Sequence, residues 1–293
     1  MKNLVTVHFD GPIARDHTLD LRTFSKTLSH LQSAIDRAHL DIKYGKIWKN
    51  ATMKDSDYEP TKFFVKQTRE GGFIADLLGN DDSEKMLKRV HDAVAPPHEE
   101  SIDFVEIEKV KLTDLAADRR KNYMSGAQVP APYENFWKGL DQAQNKAYGD
   151  RSIAKEFDEI ASTIRARKGD GSFVEIDIYA GKPLSKITFD ATTAVNFHKL
   201  VSARSLGDPI ELLITLRSLD SGNGGISKAK ALNLVSEKQF NLHILTDRGF
   251  GSLRKYLKKR NPEPFKIVAC PVLEYGAFDP MAGDMYLVAV LDE

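Results

Sequence analysis

The chain has 293 residues, of which 41% are apolar and 29% charged, a composition that excludes bulk disorder. Its 42 Lys and Arg balance 42 Asp and Glu. Any grip on a phosphate backbone must therefore come from a local patch rather than from a basic surface as a whole. Cys270 is the sole cysteine, which excludes an intrachain disulfide and a zinc site built on several thiolates and fits a reducing compartment.

Residues 3–9 alternate apolar and polar and read as a strand, closed by the turn chemistry of Asp10-Gly11-Pro12. The same alternation lacks the features of a signal peptide, and no run of about 18 apolar residues follows. A cytoplasmic protein without membrane contact is the expectation. Leu21, Phe24, Leu28, Leu31, Ile35, Ala38 and Ile42 step by three and four, which predicts one long amphipathic helix over 19–42. Residues 62–68 and 73–78 read as strands, and the Arg69-Glu70-Gly71-Gly72 loop makes them a hairpin. Helices are predicted at 82–95 and 101–121. The stretch 122–136, with Gly126, Pro130 and Pro132, reads as a loop, followed by Tyr133, Phe136 and Trp137, which need burial. A helix at 152–167, strands at 172–179 and 184–189, and a helix at 191–204 complete this part.

The last third carries strand patterns at 210–219, 228–235 and 239–245, a helix at 249–259 with Phe250, Leu253 and Leu257 on one face, and strands at 265–273 and 284–291. Five strands with one helix between the third and fourth is the order of an OB-type barrel. The fold class expected is α+β: an N-terminal sheet covered by helices over 1–204, then a small OB-like β-barrel over 205–293.

Four constellations bear on chemistry. His8, Asp10 and His17, with Asp16, offer donors for a divalent metal, yet strand-end residues of these types also satisfy turn amides, and no ligand-spacing signature accompanies them. Arg248-Gly249-Phe250-Gly251 stands where a strand meets a helix, with Lys255 nearby. It suits a weak anion site but departs from a dinucleotide fingerprint at Arg254, where a third glycine belongs. Five of the seven residues from Arg254 to Arg260 are basic, either a solvated helix face or a nucleic-acid footprint. In an OB-like barrel, ligands meet the face of strands 2 and 3 and the loops joining strands 1–2 and 4–5. Those loops are 218–225 and 274–280, and closure of the barrel is expected to bring them to one rim. Arg217, Lys228 and Lys230 lie at the first; Tyr275 and Phe278, in the second, either stack on bases or plug the barrel. Cys270 sits in an apolar strand, where a thiol is inert packing. No nucleophile elbow or zinc-protease motif is present, so no catalytic residue is assigned.

The stretches Phe9-Asp10-Gly11-Pro12, Arg69-Glu70-Gly71-Gly72-Phe73, Tyr148-Gly149-Asp150-Arg151-Ser152, Arg217 to Asn223 and Tyr275-Gly276-Ala277-Phe278-Asp279-Pro280 give the chain a further reading. With them in this order it resembles a bacterial and phage protein family to which no activity is assigned. That resemblance implies a natural unit of bacterial or phage origin and carries over no functional residue. The leading expectation is a non-enzymatic protein that binds single-stranded nucleic acid or a nucleotide at the barrel loops, without cofactor. The alternatives are a protein–protein regulator in phage defence or counter-defence, acting through a protein partner or as a homo-oligomer, and a metal-dependent hydrolase using His8, Asp10 and His17.

Overall fold

The computed structural model describes residues 2–45, 47–66, 68–69, 71–80, 82–106, 110–138, 142–222, 226–257 and 262–291. In chain order the elements are β1 (Lys2–Asp10), a 3-10 turn (Pro12–His17), α1 (Leu21–Tyr44), α2 (Asp55–Tyr58), β2 (Phe64–Val65), β3 (Phe73–Gly79), α3 (Ser83–Ile102) and α4 (Leu112–Met124). Next come β4 (Ala131–Pro132), α5 (Tyr133–Lys138), α6 (Gln142–Arg165), β5 (Phe173–Ile178), β6 (Ile187–Asp190), α7 (Ala191–Val201) and β7 (Arg204–Leu206). The last six are β8 (Ile210–Asp220), β9 (Ser227–Asn233), β10 (Lys238–Ile244), α8 (Asp247–Arg254), β11 (Phe265–Glu274) and β12 (Met285–Leu291). They form two compact units: Met1–Ile47, Ala51–Glu106 and Lys146–Ala203 in one, Trp48–Asn50, Ile107–Asn145 and Arg204–Glu293 in the other.

The first unit is an antiparallel sheet of order β2-β3-β1-β5-β6. One face is a core in which Val5, Val7 and Phe9 of β1 meet Leu31 and Ile35 of α1, Val90 of α3, Phe157 of α6 and Phe197 of α7. The other face is polar: Thr6 donates to Asp76 at 2.9 Å, and Lys186 donates to Glu175 at 2.8 Å. This is the half-solvated antiparallel sheet that the period-two patterning of β1 and β5 encodes. In α1 the expected stripe holds at its centre, but Leu21 is 78% exposed and Ile42 49%, so the apolar contact is shorter than the pattern. Asp20 caps the helix by accepting from the Thr23 amide at 3.0 Å, and Gly45, at φ 69°, ends it.

Three expectations here are corrected. The helix expected at 82–95 runs through Pro96 and Pro97 to Ile102, because Pro97, His98 and Ser101 are buried and His98 Nε2 lies 2.8 Å from the Thr188 carbonyl. Tertiary packing thus outweighs the two missing amide hydrogens. The helix expected at 101–121 begins only at Leu112, and residues 107–109 lie outside the described residues. The strand expected at 62–68 shrinks to Phe64–Val65, both exposed. Its glycine turn stands as read, since a side chain at Gly72 (φ 79°) would collide with the Phe9 carbonyl 2.4 Å away.

The second unit is a closed five-stranded barrel of order β8-β9-β10-β12-β11, with β8 and β11 pairing to shut it. β4 adds to β8 in parallel and β7 to β11 antiparallel. β10 and β12 run parallel, and α8 falls between the third and fourth barrel strands. This is the expected OB-like order. Leu253 of α8 is fully buried in the barrel core with Leu212, Leu242 and Ile267, whereas Leu257, expected on the same face, is 43% exposed because α8 stops at Arg254. Tyr133 is buried as expected; the side chains of Phe136 and Trp137 lie outside the described residues. A second apolar layer covers the outside of β11 and β12: Ala116 of α4 sits with Val268, Cys270, Val288 and Leu206.

Burial pushes the Cys270 thiol up to about 12, so native protein should leave an aromatic disulfide reagent unreacted, with one thiol released only on denaturation. In the first unit the buried Asp57 carboxylate accepts from Lys43 Nζ, from the Lys54 amide at 2.9 Å and from Tyr44 Oη at 3.3 Å. The Lys43 bond, then the Lys54 amide, hold it well below the usual carboxylate range. A lowered folded pKa stabilises above the unfolded value of about 3.9, and that stability is lost as the pH falls below it. Asp57→Asn should lower the melting temperature by roughly 4 °C at pH 7, and the difference from wild type should shrink below about pH 4.

Candidate functional site

β9 alternates with the barrel: Ala229 and Ala231 point inward and are buried, while Lys228 and Lys230 are exposed. β10 alternates in phase, with Phe240, Leu242 and Ile244 inside and Asn241 and His243 outside. Register then builds an outer face row by row. Lys230 lies between Ser218 and Asn241; Lys228 lies between Asp220 and His243; His243 in turn lies beside Tyr286. The His243 and Tyr286 rings stack at 4.9 Å and 26°. A bulge between Leu216 and Ser218 leaves Arg217 out of register and exposed, the usual way a bulge re-aims a side chain.

Two carboxylates face this array. Asp220 spends Oδ1 on the Gly222 amide at 2.9 Å. Asp284 accepts from Asn241 at 3.1 Å and from Lys49 Nζ at 3.4 Å. Burial alone would raise the Asp284 carboxyl, but His243, Lys49 and Asn241 outweigh it and hold it low. Trp48 lies at the start of β10, with Lys238 Nζ 5.6 Å from its ring centroid. Among the described residues, Arg217, Lys228 and Lys230 have no hydrogen-bond or ion-pair partner. Three other cations of this unit are held in ion pairs: Arg119 with Asp208 at 3.1 Å, Arg204 with Glu274 at 2.7 Å, Lys266 with Glu211 at 2.8 Å.

One step beyond the His243–Tyr286 row, Leu245 and Val288 floor a cleft of about 970 Å³ between α4 and α8. Arg248 lies here, exposed on α8. Lys255 is exposed past the end of α8, with Nζ 5.0 Å from the Tyr256 ring centroid, and does not line the cleft. The helix opening fits the reading of a start needing room: the Thr246 hydroxyl accepts from the Gly249 amide at 3.1 Å, and a Cβ on Gly249 would press on Ile244 and Leu287 at 3.3 Å. Lys258, Lys259 and Arg260, and Asn223 to Gly225, lie outside the described residues.

Tyr275 and Phe278 are placed elsewhere, and the shared rim expected for the two loops is corrected. β9 and β11 both run antiparallel to β8, and β12 antiparallel to β11, so the β8–β9 connection and the β11–β12 connection fall at opposite ends of β9. Ser227 pairs with Ile244 at one end, and Asn233 with Lys238 at the other, about 20 Å apart along the strand. Ser236, beside the second end, donates to the Met281 carbonyl at 2.9 Å. The β11–β12 connection is built as structure. Asp279 accepts from the Met281 and Ala282 amides at 2.9 and 3.1 Å and from the Lys49 amide at 2.8 Å, and Tyr133 donates to the Pro280 carbonyl. Phe278 packs on the barrel core with its ring against Gly283, where a Cβ would come within 2.1 Å. Of its two readings, Phe278 takes that of a plug. Tyr275 is half-buried in a tight turn at φ 49°.

In the first unit, His8, Asp10 and His17 do gather at one turn. His8 Nε2 donates to the Gly71 carbonyl at 2.9 Å, His17 Nδ1 lies 3.2 Å from the Gly72 carbonyl, and Asp10 accepts from the Gly11 amide at 2.8 Å. They are spent on backbone, and no group of three or more metal-type side chains is placed to hold an ion among the described residues.

Asn241, His243, Trp48 and Lys49 were not singled out from sequence. Alternation in β10 would have placed the first two outward, whereas nothing local marks 48–50 as neighbours of a strand nearly 200 residues away. No protein-family model, no curated protein and no solved structure matches this chain.

Proposed function

We propose that the chain is a non-enzymatic binding protein that takes single-stranded nucleic acid on the outer face of its barrel, across β8, β9 and β10. The observation that carries this reading is the set of three exposed cations, Arg217, Lys228 and Lys230, that have no partner among the described residues, on the face of barrel strands 1 to 3. Their isolation matters in a chain of zero net charge, because a cation without a carboxylate partner is left to meet the charge of a ligand. Lys228 and Lys230 stand about 7 Å apart along the strand, so both can meet the backbone of one extended ligand. His243, stacked on Tyr286, offers a ring edge and face to a base at the end of the row. The OB-type barrel uses this same face in general. Phosphate contacts dominate such binding and make it salt-dependent.

A titration against single-stranded oligonucleotides over a salt series tests this reading. Three phosphate contacts give a slope of log K against log salt of roughly −2, and Lys228→Ala or Lys230→Ala each reduces its magnitude by about 0.7. Absence of binding at low salt, or a slope that neither variant changes, rejects the proposal.

A second reading, a protein–protein regulator, is favoured by one feature. β2 is a sheet edge, and it leaves Phe64 and Val65 51% and 48% exposed, a place where a partner's strand can add. Light scattering on the eluting protein should then show a dimer or larger species that Phe64→Asp dissociates; a monomer at every concentration excludes self-association.

A further inference from the structure

We infer that the cleft between α4 and α8 is a second ligand site, separate from the strand face, and that it takes a small phosphorylated molecule of nucleotide size. Three cations border it: Arg120 and Lys121 from α4, and Arg248 from α8. Among the described residues no carboxylate lines it, and none of the three cations has a hydrogen-bond or ion-pair partner. This sets them apart from Arg119, the neighbour of Arg120, which pairs with Asp208. Two helices far apart in sequence thus bring uncompensated positive charge to one concave site, where low-dielectric walls strengthen the attraction for an anion.

The rest of the lining describes the body of the ligand. Leu245, Val288 and Ala289 make an apolar floor, and Ala117 on α4 is small enough to let a flat ring lie close. Hydroxyls of Thr113, Thr246 and Ser252 stand among them, able to meet sugar or base edges. The cleft's volume of about 970 Å³ lies at the upper end of small-molecule sites, which combine an apolar lining with a few convergent polar groups. An anionic head with a planar, partly apolar body is the chemistry of a nucleotide. Arginine forks match its phosphate oxygens with paired, charge-assisted hydrogen bonds.

Calorimetric titration of the full chain with ATP, AMP and inorganic phosphate tests this assignment. ATP should bind more tightly than AMP, and AMP more tightly than phosphate. Arg120→Ala and Arg248→Ala should each weaken ATP by at least about tenfold, the loss of one charge-assisted hydrogen bond. Ala117→Trp, which fills the cleft and leaves every charge in place, should abolish binding. All three positions are exposed or half-buried, so the variants should melt with wild-type cooperativity. Lys228→Ala and Lys230→Ala should leave ATP affinity unchanged, which keeps this site and the strand face distinguishable. No heat of nucleotide binding to the wild-type chain, or undiminished binding by Ala117→Trp and Arg120→Ala, would overturn the inference.

Discussion

The barrel depends on one shared strand. β8 offers its first half, Ile210 to Ile214, to β11 and its second half, Ile214 to Asp220, to β9. Ile214 belongs to both ladders and is fully buried. A strand can serve two neighbours in this way only if it bends, and the bulge at Arg217 is where the register shifts. Closure leaves the barrel strands without an open edge, removing the row of unpaired amides that an open sheet would present. The interior is narrow, so β9 fills it with Ala229 and Ala231, and α8 closes it with Leu253. Alternation after Leu216 faces Arg217 outward, and the bulge beside it sets Ser218 opposite Lys230, so the exposed cation stands where the register shifts.

A second layer follows from the covering of β11 and β12. The run Met-Tyr-Leu-Val-Ala-Val-Leu of β12 is apolar on both faces. Met285 and Leu287 enter the barrel, while Tyr286 and Val288 are covered from outside by the layer containing Ala116 of α4. An antiparallel strand buried on both sides needs such a cover. Because α4 and α8 both pack near β12 without meeting along their length, the covering leaves a cleft, and the basic side of α4 overlooks it.

Charge balance looks different once partners are known. In the first unit Arg37 pairs with Glu156 at 2.7 Å, Arg89 with Asp41 at 2.7 Å and Asp150 at 2.5 Å, and Arg165 with Asp158 at 2.5 Å. Gly149 has no side chain because a Cβ there would come within 2.9 Å of both Arg89 and Asp41, which gives part of the Tyr148–Ser152 stretch a structural role. Neutrality of the whole chain is the sum of neutralised clusters and of cations and carboxylates left unpaired, and only an unpaired cation can bind an anionic ligand without first breaking an ion pair.

Alternation and periodicity made most elements legible. β5, β8 to β12, the centre of α1 and the barrel order all follow from apolar spacing and turn residues, because those patterns record which face of an element is buried. Elements whose stability comes from distant partners were not legible: α3 beyond its prolines, the start of α4, and the two-residue β2. Lys228, Lys230 and Arg217 were readable as outward cations of a barrel. Their lack of partners, the joining of Arg120 and Lys121 with Arg248, and the separation of Tyr275 and Phe278 from them were decided by the fold alone. Local sequence governs which way a side chain faces, since that depends on a residue's own strand or helix. Which side chains become neighbours depends on strand direction, closure and packing across long stretches of chain, and these emerge only when the whole chain has folded.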